Sequence, residues 1–282
     1  MLYLHNILNG VWAIDQNYAS NYLPLIANFI KGERMAVAPA LPALNDRNSV
    51  MMSDGIGNEN RVPVIDAMPG SIAIINISGV ITKEDQMCGP AGMRSISNLM
   101  KQCYANDAIS SIVIVMSSGG GEGYAMRLLA ETISEKNKPV GGFIDDMACS
   151  AAYGILSGCD YICANSNLAK VGSCGAYVTL IDFSKQLEIM GVNLIEIYAT
   201  ASTDKNKTFI DAINGKPEEL RADLDVFNEW FLSMIETNRA DQLKGDRKVW
   251  GTGKVFYGDK SLEIGLIDAV DTFENFINYF NS

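Results

Sequence analysis

Ser150 and a few lysines are the candidate side chains for nucleophilic catalysis in this sequence. Ser150 stands in the stretch "DDMACSAAYG", where a hydrophobic strand pattern gives way to a run of small residues. A serine becomes a nucleophile only when a base within hydrogen-bond reach accepts its proton. The only histidine is His5, near the amino terminus, so a Ser-His-Asp triad would require that segment to fold back onto the site. Taken alone, such a serine is more often a helix cap or a packing residue.

A lysine is the remaining candidate base, and it must be neutral to accept a proton. Its pKa must therefore fall by about three units from about 10.4, at a cost of about 4 kcal/mol, which desolvation in an apolar pocket can impose. The stretch "IYATASTDKNKTF" offers Lys205 and Lys207, although a lysine in a loop is more often a solvated charge. Ser202 and Lys205 also form an SxxK pair, but no SDN follows and "KTF" replaces KTG, so a β-lactamase-type site is not favoured.

The glycine-rich segment "MSSGGGEGY" (116–124) follows a strand pattern and precedes a helix pattern. Glycines at such a turn let backbone N–H groups face a ligand. The segment lacks the lysine of GxxxxGK[ST] and matches GxGxxG poorly. A phosphate cradle is therefore disfavoured against a plain tight turn, and an oxyanion hole becomes the preferred interpretation if a nucleophile lies opposite.

The elements that would position these residues alternate between strand and helix patterns. Strands are predicted in "GSIAIINISGVI", "SIVIVMSS", "KPVGGFID", "YICANS" and "NLIEIYAT". One helix carries Ala125, Leu128, Leu129 and Ile133 on one face, a second begins near Ser150, and a long amphipathic one begins at Pro217 with Leu220, Leu224, Phe227, Phe231 and Ile235. Short buried strands joined by helices indicate an α/β fold with parallel pairing.

Composition narrows the class of protein and of partner. A chain of 282 residues with 48% hydrophobic residues can bury a large core. The formal net charge of −11 argues against nucleic-acid binding, which needs clustered Lys and Arg. Six cysteines at irregular spacing, without a secretion signal or paired CxxC motifs, indicate reduced thiols in a cytosol-like compartment and no metal site. No stretch has the roughly 18 uncharged apolar residues of a membrane span.

Two parts of the chain are predicted from these patterns. Residues 1–60 form an amino-terminal segment and linker, in which the polar run 44–61 is interpreted as a linker or mobile loop. Residues 61–282 form the domain that carries the candidate chemistry.

The order of the pieces resembles the signal peptide peptidase A family of Ser-Lys peptidases, including its phage head-maturation branch. The resemblance covers about residues 70–270: the "SSGGG" turn, "ACSAAY", "VGSCGAY", "STDK" and "GTGKVFYGDKSLEIGLIDAV" in succession. It implies an α/β fold of the Clp protease/crotonase type, a spiral of ββα units. It also implies assembly into homo-oligomeric rings or domes, in which the serine and the lysine can come from adjacent subunits, and no cofactor.

Residue roles follow from that resemblance alone. Ser150 matches the nucleophile, Lys205 the general base with Lys207 as the alternative, and Ser173 the serine that orients the lysine. Gly120, with the N–H of Ala151, would form the oxyanion hole. The sequence departs from the family's pattern where "SSGG" replaces "SPGG", where an alanine pair follows the nucleophile in place of glycines, and where "STDKNK" lacks the family's glycine.

The implied function is a serine endopeptidase that acts on polypeptides. The opening segments "LNGVWAI" and "NYLPLIANFIKG" are similar to those of the phage and prophage branch, which implies processing of capsid or scaffold proteins in the bacterial cytoplasm or the phage prohead. Three alternatives stay open: a housekeeping peptidase that degrades signal or membrane peptides, a crotonase-like acyl-CoA enzyme that acts through carboxylates, and an inactive structural shell component.

Overall fold

A computed structural model of the chain describes residues 12–14, 49–53, 59–86, 89–180, 182, 184–193 and 195–281. Its strands, numbered in chain order, are β1 (Trp12–Ile14), β2 (Ser49–Ser53), β3 (Glu59–Pro63), β4 (Ser71–Ser78), β5 (Ile109–Ser118), β6 (Gly120–Glu122), β7 (Val140–Cys149), β8 (Tyr161–Ala164), β9 (Lys170–Gly172), β10 (Val255–Tyr257) and β11 (Ala269–Val270). Its helices are α1 (Met93–Ala105), α2 (Gly123–Ser134), α3 (Ala151–Leu156), α4 (Ser184–Ile189), α5 (Lys207–Ile213), α6 (Glu218–Asn238), α7 (Arg247–Trp250), α8 (Gly258–Glu263) and α9 (Phe273–Asn281).

One mixed sheet forms the centre of the described chain, in the order β10-β9-β7-β5-β4-β2-β3, with β8 beside β7 and β11 beside β8. The pairs β4–β5, β5–β7, β7–β8 and β7–β9 are parallel, whereas β2, β3 and β10 join antiparallel. Parallel neighbours need crossover connections, and α1 and α2 supply them between β4, β5 and β7. The predicted α/β class with parallel pairing is therefore confirmed.

Both faces of the parallel strands are buried, as their nearly continuous apolar sequence requires. On one face β5 contributes Ile112, Ile114 and Met116 to the main core against α1, α2 and α3. On the other face Val113 packs in a smaller cluster with Phe143 and Phe276 of α9. The predicted face of α2 is also confirmed, since Ala125, Leu129 and Ile133 are fully buried and Leu128 is partly buried.

Most predicted elements lie where the patterns place them, and two do not. The amphipathic helix predicted from Pro217 is α6, and the helix predicted near Ser150 is α3. The strand predicted for 193–200 is wrong, because its described residues are not in a strand and no neighbour pairs with them. The loop predicted for 44–61 is also wrong in part, since β2 and β3 pair there and β2 joins β4 in the main sheet. The boundary at residues 60 and 61 stays a prediction.

Within the described residues, no helix combines the length and the apolar character that a membrane crossing requires. The five described cysteines, Cys103, Cys149, Cys159, Cys163 and Cys174, are buried free thiols, and Cys88 lies outside the described residues. The redox state of the thiols and the compartment stay predictions.

An ion pair between Arg239 and Asp268 fixes the end of α6 to the sheet. The Arg239 side chain is 2% exposed and its guanidinium donates to both carboxylate oxygens of Asp268 at 2.7 and 3.0 Å and to the carbonyl of Gly265 at 3.0 Å. The same carboxylate accepts the N–H of Ile162 in β8 at 2.7 Å. Arginine suits this place because its planar fork serves several acceptors at once.

We expect Arg239→Met to lower the free energy of unfolding by about 3 kcal/mol, because removing one partner leaves the other charge buried and uncompensated. The matched control is Arg127→Met, since the Arg127–Glu131 pair on α2 is half exposed and such helix pairs contribute about 0.5 kcal/mol. Urea unfolding followed by circular dichroism at one protein concentration measures both variants. Equal losses of stability would contradict the larger contribution to the free energy of unfolding that is expected of the buried pair.

Candidate active site

Three parallel strands end side by side at the candidate site. The last paired residues are Ser118 of β5 with Ala148 of β7, and Cys149 of β7 with Gly172 of β9. Two residues beyond Ser118 comes Gly120, and two beyond Ala148 comes Ser150. Because the carboxyl ends of neighbouring parallel strands lie at one edge, crevices there are the usual binding places in α/β sheets. The register therefore brings Gly120 and Ser150 to the same edge of the sheet.

Ser150 occupies a sharp turn between β7 and α3. Its backbone has φ 58° and ψ −120°, a conformation that residues other than glycine rarely adopt. Its N–H donates to the carbonyl of Gly172 at 2.6 Å, and its own carbonyl accepts the N–H of Gly154 at 2.9 Å. A strained strand-to-helix turn that presents a serine is the geometry of a nucleophile elbow. The Ser150 hydroxyl donates to the carbonyl of Gly175 at 3.4 Å.

Ser173 follows β9 directly and lies one residue beyond the carbonyl that binds Ser150. It also has a positive φ, 52°, and its N–H donates to the carbonyl of Lys254 at 2.8 Å. The next residue, Cys174, is fully buried, and burial raises the pKa of its thiol. That thiol therefore stays protonated and does not compete with serine as a nucleophile.

The two candidate oxyanion donors, the N–H groups of Ala151 and Gly120, differ in their hydrogen bonding. The N–H of Ala151, at the first position of α3, has no protein acceptor within the described chain, as expected for the first turn of a helix. The N–H of Gly120 instead donates to the Ser118 hydroxyl at 3.1 Å, and that hydroxyl donates to the carbonyl of Gly79 at 2.6 Å. An oxyanion at Gly120 would have to replace or share that hydroxyl.

Neither candidate lysine is hydrogen-bonded to the serine within the described residues. Lys205 is exposed in the turn that precedes α5, and within the described residues neither lysine donates a hydrogen bond to Ser150 or Ser173. The Lys207 ammonium pairs with Asp211 at 2.7 Å, and this hydrogen bond raises the pKa of Lys207. A raised pKa is the opposite of what a general base needs, so the ion pair weighs against Lys207.

The segment that carries these lysines leaves many large apolar side chains in water. We call residues 182–213, apart from Phe183 and Leu194, the arm. Its helices α4 and α5 have no buried residue, and Ile197 is 91% exposed. The other exposed apolar side chains of the arm are Ile189, Met190, Val192, Ile195, Tyr198, Phe209, Ile210 and Ile213. A concentration of this kind is characteristic of a protein–protein contact surface.

Two residues that shape the site were not predicted from the sequence. Asn228 of α6 accepts the N–H of Ala176 at 3.1 Å and so anchors the chain just after Ser173. Glu122, at the end of β6, accepts the N–H of Lys83 at 2.8 Å, and burial raises its pKa. The sequence signal for Glu122 was a lone carboxylate within the glycine-rich turn. Asn228 had no such sequence signal, since it stands on the polar side of an amphipathic helix pattern.

The sequence from residue 132 to residue 281 matches Peptidase family S49. That range is just over half of the 282 residues. The chain belongs to peptidase family S49. The matched range contains Ser150, Ser173 and Lys205, while Gly120 lies outside it.

Two relatives and one solved structure show how similar this chain is to known proteins. Protease 4 of Haemophilus influenzae is 23% identical over 75% of this chain and 34% of its own length. The head-tail preconnector protein GP5 of Enterobacteria phage P21 is 24% identical over 71% of this chain and 40% of its own length. The chain thus spans well under half of each relative. A ClpP1 N165D mutant from Listeria monocytogenes is similar in structure with a TM-score of 0.45, at 11% identity over 72% of this chain and 94% of its own.

The backbone strain at Ser150 can be tested by stability measurements, without an activity assay. We expect Ser150→Gly to be more stable than Ser150→Ala by about 1 kcal/mol, because glycine adopts a positive φ without the cost of about 1–3 kcal/mol that other residues bear. Both variants lack the hydroxyl, so their difference reports the backbone alone. Chemical unfolding of the two purified variants measures it. If Ser150→Ala proved as stable as Ser150→Gly, the turn would not be strained as described.

Proposed function

We propose that this S49 chain is a serine endopeptidase in which Ser150 is the nucleophile. The observation that carries the proposal is the Ser150 turn, which has a positive φ of 58° and an N–H that donates to the Gly172 carbonyl at 2.6 Å. The N–H of Ala151 next to it has no acceptor among the described residues, so it can donate to a tetrahedral intermediate. Ala151 is thus the first oxyanion donor, and Gly120 is the second once the Ser118 hydroxyl moves aside.

Lys205 is the proposed base, and a second subunit completes the site. An exposed ammonium cannot accept a proton until it is desolvated or otherwise made neutral. Packing of the arm against a neighbouring copy would bury its apolar side chains and remove water from the turn that holds Lys205. In the assembly, neutral Lys205 takes the Ser150 proton and the alkoxide attacks a peptide carbonyl. The peptide C–N bond then breaks and the protonated lysine gives its proton to the leaving amine, which leaves an acyl-enzyme. Water, activated by the neutral lysine, hydrolyses the acyl-enzyme and restores the Ser150 hydroxyl. Ser173 orients the lysine amine.

The proposed substrate is a capsid or scaffold protein of a phage or prophage, within a bacterial host. The support is the similarity to the phage P21 head-tail preconnector protein, together with the resemblance of the motifs to the phage branch. The family assignment gives no such support to an acyl-CoA enzyme. An inactive shell component or a housekeeping peptidase would share the fold. Hydrolytic activity separates the proposed enzyme from the first, and the identity of the substrate separates it from the second.

Ser150→Ala and Lys205→Ala should each abolish peptide-bond hydrolysis, whereas Lys207→Ala should retain most of it. Nucleophile and base act as one unit, so either loss alone costs several orders of magnitude. Co-expression with candidate capsid proteins and intact mass spectrometry of the products measures this. Full activity in Lys205→Ala with loss in Lys207→Ala would move the base to Lys207, and truncation that persists in Ser150→Ala would overturn the proposal.

Co-assembly of Ser150→Ala and Lys205→Ala subunits in equal amounts should restore about a quarter of the wild-type activity, because in a head-to-tail ring one interface in four then joins an intact serine to an intact lysine. Each variant assembled alone serves as the inactive control. Hydrolysis of a casein reporter by the co-purified mixture measures the recovery. A mixture as inactive as its components, with wild type active, would place the serine and the lysine in the same subunit.

A further inference from the structure

Strand β6 has two edges, and the first is bound to the segment around Ile81. The N–H of Ile81 donates to the carbonyl of Gly120 at 3.0 Å, and the N–H of Glu122 donates to the carbonyl of Ile81 at 2.9 Å. The approach is close, since a Cβ on Gly121 would lie 2.0 Å from the Ile81 oxygen. This edge of β6 is therefore fully occupied by the domain itself.

The second edge of β6 is covered by the chain's own amino-terminal strand. β1 pairs with β6 in antiparallel register, with Trp12 opposite Glu122, Ala13 opposite Gly121 and Ile14 opposite Gly120. Successive residues of a strand direct their N–H and C=O groups to opposite edges. Since Glu122 and the Gly120 carbonyl face Ile81, the Gly121 amide and carbonyl face Ala13. Ala13 and Gly121 are thus the hydrogen-bonded pair.

That second edge borders the candidate nucleophile. β6 begins at Gly120, which follows β5 at the edge of the sheet that also carries Ser150, and β6 lies against α3. An extended polypeptide paired with this edge would lie beside the turn that holds Ser150. An unpaired strand edge is also a ready template for an extended peptide, which adds to it through backbone hydrogen bonds.

The direction of β1 fits a substrate backbone. Along the register, β1 runs from Glu122 towards Gly120, so its carboxyl-ward end points to the proposed oxyanion hole. A peptide bound antiparallel to β6 with its scissile carbonyl at Gly120 would have the same direction. β1 also consists of only three residues, and strands this short pair weakly enough to be displaced.

We infer that residues Trp12–Ile14 are an internal substrate mimic that occupies the peptide-binding edge of β6 and holds the enzyme in a self-inhibited state. This inference rests on the proposed peptidase function. An extended polypeptide substrate displaces β1, takes over the hydrogen bonds of Gly121, and places its carbonyl between Ser150 and Gly120.

Proline at residue 13 tests the mimic in the full-length assembled chain, since proline lacks the N–H that donates to Gly121. Ala13→Pro should raise the kcat/KM for a casein-derived reporter peptide about fivefold, mainly through a lower KM, because one backbone hydrogen bond of β1 is lost. Ala13→Val keeps the amide and should show no such rise. Equal Ser150-dependent rates in wild type and Ala13→Pro would overturn the inference while the peptidase function stood.

Hydrogen–deuterium exchange at the Gly121 amide gives a second readout that needs no activity. In the Ser150→Ala chain the amide should exchange slowly, and adding Ala13→Pro should speed its exchange about fivefold or more. An unchanged exchange rate would show that β1 does not cover β6 and would overturn the inference on its own. Absence of hydrolysis in every Ser150-containing variant would instead refute the proposed function, and the exchange data would still decide whether the strand pairs.

Discussion

The hydrogen bond between the Ser150 N–H and the Gly172 carbonyl, 2.6 Å long, is the contact on which the site depends. It extends the parallel pairing of β7 and β9 by one step beyond Cys149 and then obliges the chain to turn. The turn places Ser150 at φ 58°, a strained conformation that persists only where the surroundings compensate for its cost. The strands on either side of β7 supply that compensation and align Gly120, Ser150 and Ser173 along one edge.

In the helix behind Ser150, the neighbours of Gly154 leave no room for a side chain. At Gly154 an added Cβ would lie 2.3 Å from the Met126 sulfur and 2.7 Å from the Phe231 ring. The close packing seats α6 against α3, and Asn238 of α6 donates to the Ser157 hydroxyl at 3.0 Å. α6 also carries Asn228, whose contact fixes the chain after Ser173. The core beneath the site thereby determines the position of the loop above it.

Local patterns predicted the elements of this domain, but they did not predict the pairing of its outer parts. Strand and helix periodicity located β5, α2, β7 and α3, since both faces of that sheet are buried. Periodicity failed at 193–200, where apolar residues alternate without a neighbouring strand, and at β2, whose polar surroundings suggested a loop. The pairing of β1 with β6 joins residues more than 100 positions apart, and a pattern read along one segment carries no signal for such a contact.

In the isolated chain the arm is uncovered and the proposed base is not desolvated, and packing against a second copy would provide both. Its arm exposes apolar side chains such as Ile195 and Ile197, and its proposed base, Lys205, lies in water on the same arm. Burial of the arm against a second copy removes apolar surface from water, which is favourable, and the same burial disfavours the charged form of the lysine. Under this proposal the hydrophobic gain offsets the cost of desolvating the base. Activity then depends on assembly, because the proposed base is exposed to water on the arm of the unassembled chain.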